Sequence, residues 1–146
     1  MSLREDIVKN IVTTLYNIEE PKPVLVTREP FEAEKLAITQ FPAILVQMVN
    51  EERESVTMGP PGTGRRTGTI TYMLRGFVRG VELDTKRNDL IEAIELALDY
   101  DRTLSLHSRG VVDSQITLIE VVQRLAPLAE FTMEYKVRYS YTRSSL

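Results

Sequence analysis

The sequence predicts an α+β domain: a mainly antiparallel sheet with two principal helices packed on it and a long flexible hairpin loop. Three observations carry that expectation. Segments 2–18 and 84–100 repeat apolar residues at helical spacing with charges between them. Segment 131–143, FTMEYKVRYSYTR, alternates apolar and polar residues, the pattern of a strand with one buried and one wet face. The stretch GPPGTGRR at 59–66 separates two extended segments with two prolines and three glycines.

Taken in order, 2–18 places Leu3, Ile7, Val8, Ile11, Val12, Leu15 and Ile18 on one helical stripe. Ser2 and Glu5 fit a capping box, and Pro21 and Pro23 stop the helix. VLVTRE at 24–29 reads as a short strand, and PFEAEKLAITQ after it as helical turns. FPAILVQMV at 41–49 is apolar and β-rich, with Pro42 at its start, where a missing donor is tolerated; it reads as a buried central strand. EERESVTM continues it, extended but polar.

In TITYMLRGFVR at 69–79, Ile70, Tyr72, Leu74, Gly76 and Val78 share one face; Thr71, Met73, Arg75, Phe77 and Arg79 share the other. The helix over 84–100 is expected to be capped by Asp84 or Thr85, with Leu90, Ile91, Ile94, Ala97 and Leu98 as its stripe. VVDSQITLIEVVQRL at 111–125 is a less regular strand. It joins 131–143 through the short link APLAE, so the two form a hairpin. Nothing divides the chain, so residues 1–146 read as a single domain.

Composition narrows the function classes. Hydrophobic residues make up 42% and charged residues 27%, ordinary for a globular protein. The formal net charge of -3 provides no overall basic field for nucleic acid. The absence of cysteine excludes disulfides and thiolate metal sites. SLREDIVKN after Met1 is too charged for a signal peptide, and no apolar run is long enough to span a bilayer. The expected location is a cytoplasm, or a particle assembled there.

The stretch at 59–66 imitates a phosphate-binding loop, G-x-x-x-x-G-K-[ST], whose lysine reaches the outer phosphates and whose hydroxyl binds magnesium. Gly59 and Gly64 have the spacing, but Arg65 and Arg66 stand where lysine and the hydroxyl belong. A phosphate loop also opens a helix, whereas this stretch runs into a strand. Gly59, Pro60, Pro61, Gly62, Thr63, Gly64, Arg65 and Arg66 therefore read as a solvated hairpin loop that contacts a partner. A nucleotide site is the alternative of a different class.

Other candidates are weaker. His107, between Ser105 and Ser108, reads as an exposed loop residue and not as a general base. Glu51, Glu52 and Glu54, and Asp99 and Asp101, lack the regular spacing of a cation loop. The tyrosines at 135–141 read as core and not as a stacking platform for bases. Arg75 and Arg79 are candidates for a subunit interface or lumen; a salt-bridged sheet face and a phosphate contact are the other readings. No catalytic residue, cofactor or metal site is expected.

The order of these pieces resembles the tail terminator proteins of tailed bacteriophages, the family of the phage lambda tail terminator. The resemblance rests on FPAILV at 41–46, the 70–79 strand ending in FVRG, RNDLIEAIELAL at 87–98 and EYKVRYSY at 134–141, and it spans nearly the whole chain. It implies a structural virion protein without catalysis or cofactor. Such a protein forms a homo-oligomeric ring, a hexamer, in the tail or neck of the virion. The ring docks on the tail tube protein, stops elongation and presents a surface to a head-completion or neck protein; DNA passes its lumen without specific binding. Another head–tail connector or tail-completion ring, or a general protein-interaction module, are the remaining readings.

Overall fold

The computed structural model describes residues 2–55 and 65–142, with only the backbone of Ser55, Arg65 and Thr142. Residues 59–64 of the expected hairpin loop lie outside that range. The elements are α1 (Leu3–Tyr16), β1 (Leu25–Thr27), two 3₁₀ turns (Ala33–Lys35 and Ile38–Gln40), β2 (Ala43–Ser55), β3 (Arg65–Arg79), α2 (Leu83–Tyr100), a third 3₁₀ turn (His107–Arg109), β4 (Val111–Val122) and β5 (Leu128–Thr142). The strands form one sheet in the order β1-β2-β3-β5-β4, with β1 parallel to β2 and every other pair antiparallel. This is the expected α+β class.

Both helices lie on one face of the sheet. The inward rows of β3 and β5, Ile70, Tyr72, Leu74 and Val78 with Phe131, Met133, Tyr135, Val137 and Tyr139, meet Ile7, Ile11 and Leu15 of α1 and Leu90, Ile94 and Leu98 of α2. The period-2 row and the 3.6-period stripes thus share one core. Gly68 and Gly76 sit opposite Tyr139 and Phe131, whose rings fill the space a Cβ would need. The two aromatic rings therefore lie flat over β3 because those two positions lack side chains.

Several expectations change in detail. Ser2 caps α1, its Oγ accepting from the Glu5 N–H at 3.1 Å. The reciprocal half of the capping box gives way to an ion pair, because the Glu5 carboxylate accepts from Arg28 at 2.7 and 3.1 Å. The N-cap of α2 is Glu82 and not Asp84 or Thr85; its φ of 53° is left-handed and its side chain makes no capping bond. The reversal after β3 runs through Gly80 at φ 128°, so the helix begins as soon as the turn is complete.

β2 is buried as expected over Ala43–Val46 and flanked on both sides over Ala43–Leu45, but the middle of the sheet is β3. β1 covers only Ala43–Leu45, so the rest of β2 runs along the edge of the sheet. The outward face also has its own small core, because the segment between β1 and β2 folds back over it. Phe77, on the strand face it shares with Arg75 and Arg79, is buried with Ala33, Ala43 and Leu128, its ring 5.3 Å from that of Phe31.

Candidate functional site

The residues singled out by the sequence do not gather into one site. Arg65 and Arg66 belong to β3 and not to a loop tip: Arg66 pairs with Ser55 on one side and Tyr141 on the other. Sheet pairing thus extends two residues further than the glycine pattern implied. Arg75 engages the buried Glu130 carboxylate through Nη2 at 2.9 Å and Nε at 3.2 Å. Arg79 lies elsewhere, in a cleft of about 360 Å³ with Glu20, Phe41, Lys86 and Asp89.

His107 is exposed on its 3₁₀ turn. Its neighbour Ser105 is committed to the Asp101 carboxylate, through N–H at 2.8 Å and Oγ at 3.0 Å. Asp101 also receives the Thr103 N–H and hydroxyl, and these bonds hold its carboxyl below the usual range. Along β2, Glu51 turns inward and Glu52 outward. Among the described residues no group of three or more carboxylates and histidines is placed to hold a metal ion.

Two polar knots were not legible in the sequence. The first is built on Glu51, at the open half of β2. Its carboxylate accepts from Arg4 (Nη2, 3.1 Å), Arg53 (Nε, 3.0 Å) and the Tyr139 hydroxyl. Burial raises the Glu51 pKa, but these hydrogen bonds outweigh it and hold the carboxyl at about 2. Burial, reinforced by the bond to Glu51, pushes Tyr139 up to about 12. Beside the knot, Arg4, Glu5, Arg28, Met48 and Tyr72 line a cleft of about 330 Å³. The buried Tyr72 hydroxyl there has no hydrogen-bond partner among the described residues, and burial raises its pKa.

The second knot is Glu130, on the outward face and 1% exposed. Arg124 binds its Oε1 at 2.7 Å, opposite Arg75 on Oε2, and also pairs with Glu34. Both guanidiniums lie over the Phe77 ring, at 5.5 and 5.7 Å from its centroid. The register places Glu130 between Phe77 and Val122, where a lone acid is tolerated only because two arginines reach it. The sequence reads this position as the end of the APLAE link, whereas it belongs to β5, and nothing in the link signals the enclosure.

The sheet has two incompletely paired edges. One is β4, which pairs with β5 alone. At its start the Ser114 carbonyl accepts from Arg102 at 3.1 Å. Beyond that, Leu118, Ile119 and Val121 are 47%, 39% and 49% exposed. The other is β2 past Leu45, where Met48 and Val49 are exposed. Unpaired backbone N–H and C=O groups beside exposed apolar side chains make a template for another strand. Binding other strands is what this arrangement can do chemically.

No family model matches the chain, and no curated protein matches it. Among solved structures it is similar to a chain from the virion of a native gene transfer agent (GTA) particle, with 8% sequence identity, 96% of each chain covered and a TM-score of 0.49.

Proposed function

We propose that the protein is a structural virion component: a ring-forming tail terminator that caps the tail tube, stops its elongation and provides the joint to a head-completion or neck protein. The order of elements agrees with the family resemblance: helix, short strand, the strand led by FPAI, the strand ending in FVRG, a helix and two long strands. The observation that carries the reading is the sheet left open at both edges, with apolar side chains on β4. An isolated domain blunts such edges, whereas head-to-tail copies in a closed ring, here a hexamer, cover them. DNA passes the lumen without specific binding, and no cofactor takes part.

The test is the mass of the purified protein by light scattering, with negative-stain images, alone and with tail-tube assemblies. A ring, or a monomer that caps tube ends as a ring, supports the reading. A monomer indifferent to tubes refutes it. Deleting residues 59–64 is expected to preserve the fold and weaken docking to the tube. Loss of the circular dichroism melt on deletion would contradict the hairpin-loop reading of that segment.

A further inference from the structure

The two open edges are complementary to each other. β2 runs antiparallel to β3, β3 to β5 and β5 to β4, so β2 and β4 point in opposite directions. Beside another copy's β2, β4 therefore meets an antiparallel partner, the geometry that satisfies backbone groups on both strands. The open stretches are similar in length: Gln115–Val122 on β4, and Val46–Ser55 on β2. Cross-strand registers put Val46, Leu74, Met133 and Ile119 at one level, so overlapping the two open stretches requires a stagger along the strands. Closing a sheet around an axis demands such a shear.

Charge also matches. One flank of α2 faces the β2 side: Ala97 and Tyr100 border α1, and Lys86 and Asp89 border Pro42. Helical spacing puts Asp84, Ile91 and Glu95 on the opposite flank, on the β4 side, with Glu92 and Asp99 next to them; Asp84 is already paired with Arg87, so Glu92, Glu95 and Asp99 carry the acidity. Ile119 and Val121, exposed on β4, pair with the inward-facing Met133 and Phe131 and so lie on the helix side of the sheet. On the helix side of the β2 edge basic groups are in slight excess, while the exposed Glu52 and Glu54 stand on the same strand. The guanidiniums of Arg4, Arg28 and Arg53 share two carboxylates, Glu5 and Glu51, and their side chains remain 47%, 46% and 40% exposed.

We infer that the open edge of β4 pairs antiparallel with the open half of β2 in a second copy of this chain, seating the acidic flank of α2 against Arg4 and Arg28. The contact is heterologous, each copy giving one edge and receiving the other, so it propagates until a ring closes. It rests on the ring reading above and specifies the surfaces that make the ring.

The chain has no cysteine, which allows a direct test. Met48→Cys and Ile119→Cys are made singly, both at exposed positions whose side chains lie on the helix side of the sheet. The concentrated proteins are treated with a short bis-maleimide, separately and mixed. The expected result is cross-linked dimer in the mixture and none in either variant alone, while the double variant gives a ladder ending at the ring size. Cross-linking of Ile119→Cys alone would mean a two-fold β4–β4 contact and overturn the inference. No cross-link in the mixture would also overturn it, with light scattering on the same sample separating the causes. The samples are run alone and with tail-tube assemblies: rings without cross-links sink only this pairing, whereas monomers without cross-links that also leave tube ends uncapped sink the ring reading as well. Val49→Cys and Leu118→Cys form a second pair, and unchanged melting curves show that each variant is folded.

Discussion

Replacing Glu51 by glutamine is expected to erase an acid-dependent part of the stability. The carboxyl moves from an unfolded pKa of 4.5 to about 2 in the folded chain. A depressed carboxylate stabilises the fold above its unfolded pKa, and that stability is lost as pH falls through the folded value. Over the 2.5 units between those values, the full contribution is about 3.4 kcal/mol at neutral pH, falling to about 0.4 kcal/mol at pH 2. The Glu51 side chain is only 10% exposed, but Arg4 and Arg53 are 47% and 40% exposed, so solvent screening reduces the neutral value to about 2–3 kcal/mol. Urea denaturation of the parent and of Glu51→Gln at pH 7, 4.5 and 2 measures the difference. It should be near its maximum at pH 7, begin to fall near pH 4.5 and nearly vanish at pH 2. Glu5, Glu34 and Asp101 also have lowered pKa values, but they are common to both proteins and cancel in the comparison. A difference that stays constant between pH 7 and pH 2 would show that the charge of Glu51 is not what the knot uses.

Other perturbations test the rest of the fold. Gly76→Val drives a side chain into the Phe131 ring and should lower stability by about 1–3 kcal/mol, read as a lower melting temperature; an unchanged melt would mean that the ring is free to move aside. Glu130→Ala leaves Arg75 and Arg124 without their shared acid over Phe77. It should cost about 2–4 kcal/mol in chemical denaturation, and Glu130→Gln less, because the amide oxygen still accepts. Ser2→Ala removes the α1 cap and should cost about 1 kcal/mol, whereas Thr14→Ala, outside the cap, should not.

The parts of the fold that were legible in the sequence are those fixed by short-range periodicity. The stripe from Leu3 to Leu15 and the alternating row from Phe131 to Tyr141 each bury one face whatever else the chain does. What was not legible depends on which strand lies beside which. FPAILV is as apolar as a central strand, yet β2 is central only in order of burial: its partner β1 is three residues long. Phe77 shares a face with Arg75 and is buried because a distant segment carrying Phe31 folds over it. The start of α2 could not be read either, since Glu82 adopts a left-handed conformation that no capping preference marks. The same holds for the surfaces offered to partners. Arginines at 75 and 79 stand out in the sequence, but the knots on Glu51 and Glu130 join residues 47 and 55 positions from their arginine partners Arg4 and Arg75. Only the sheet register brings such residues together.

The strand order also constrains when the molecule can form. Among the described strands β5 comes last in sequence, yet it lies between β3 and β4. While the ribosome is still making residues 128–142, α1 and the β2–β3 pair can assemble from local contacts, but β3 and β4 have nothing to join them. The nascent chain therefore holds its aromatic core open until its last strand arrives, and the central sheet closes in one late step. A chain that stalls or is cleaved before Leu128 has two helices with only the β2–β3 pair beneath them. Chaperone binding should be greatest for nascent chains of that length and fall once β5 has emerged.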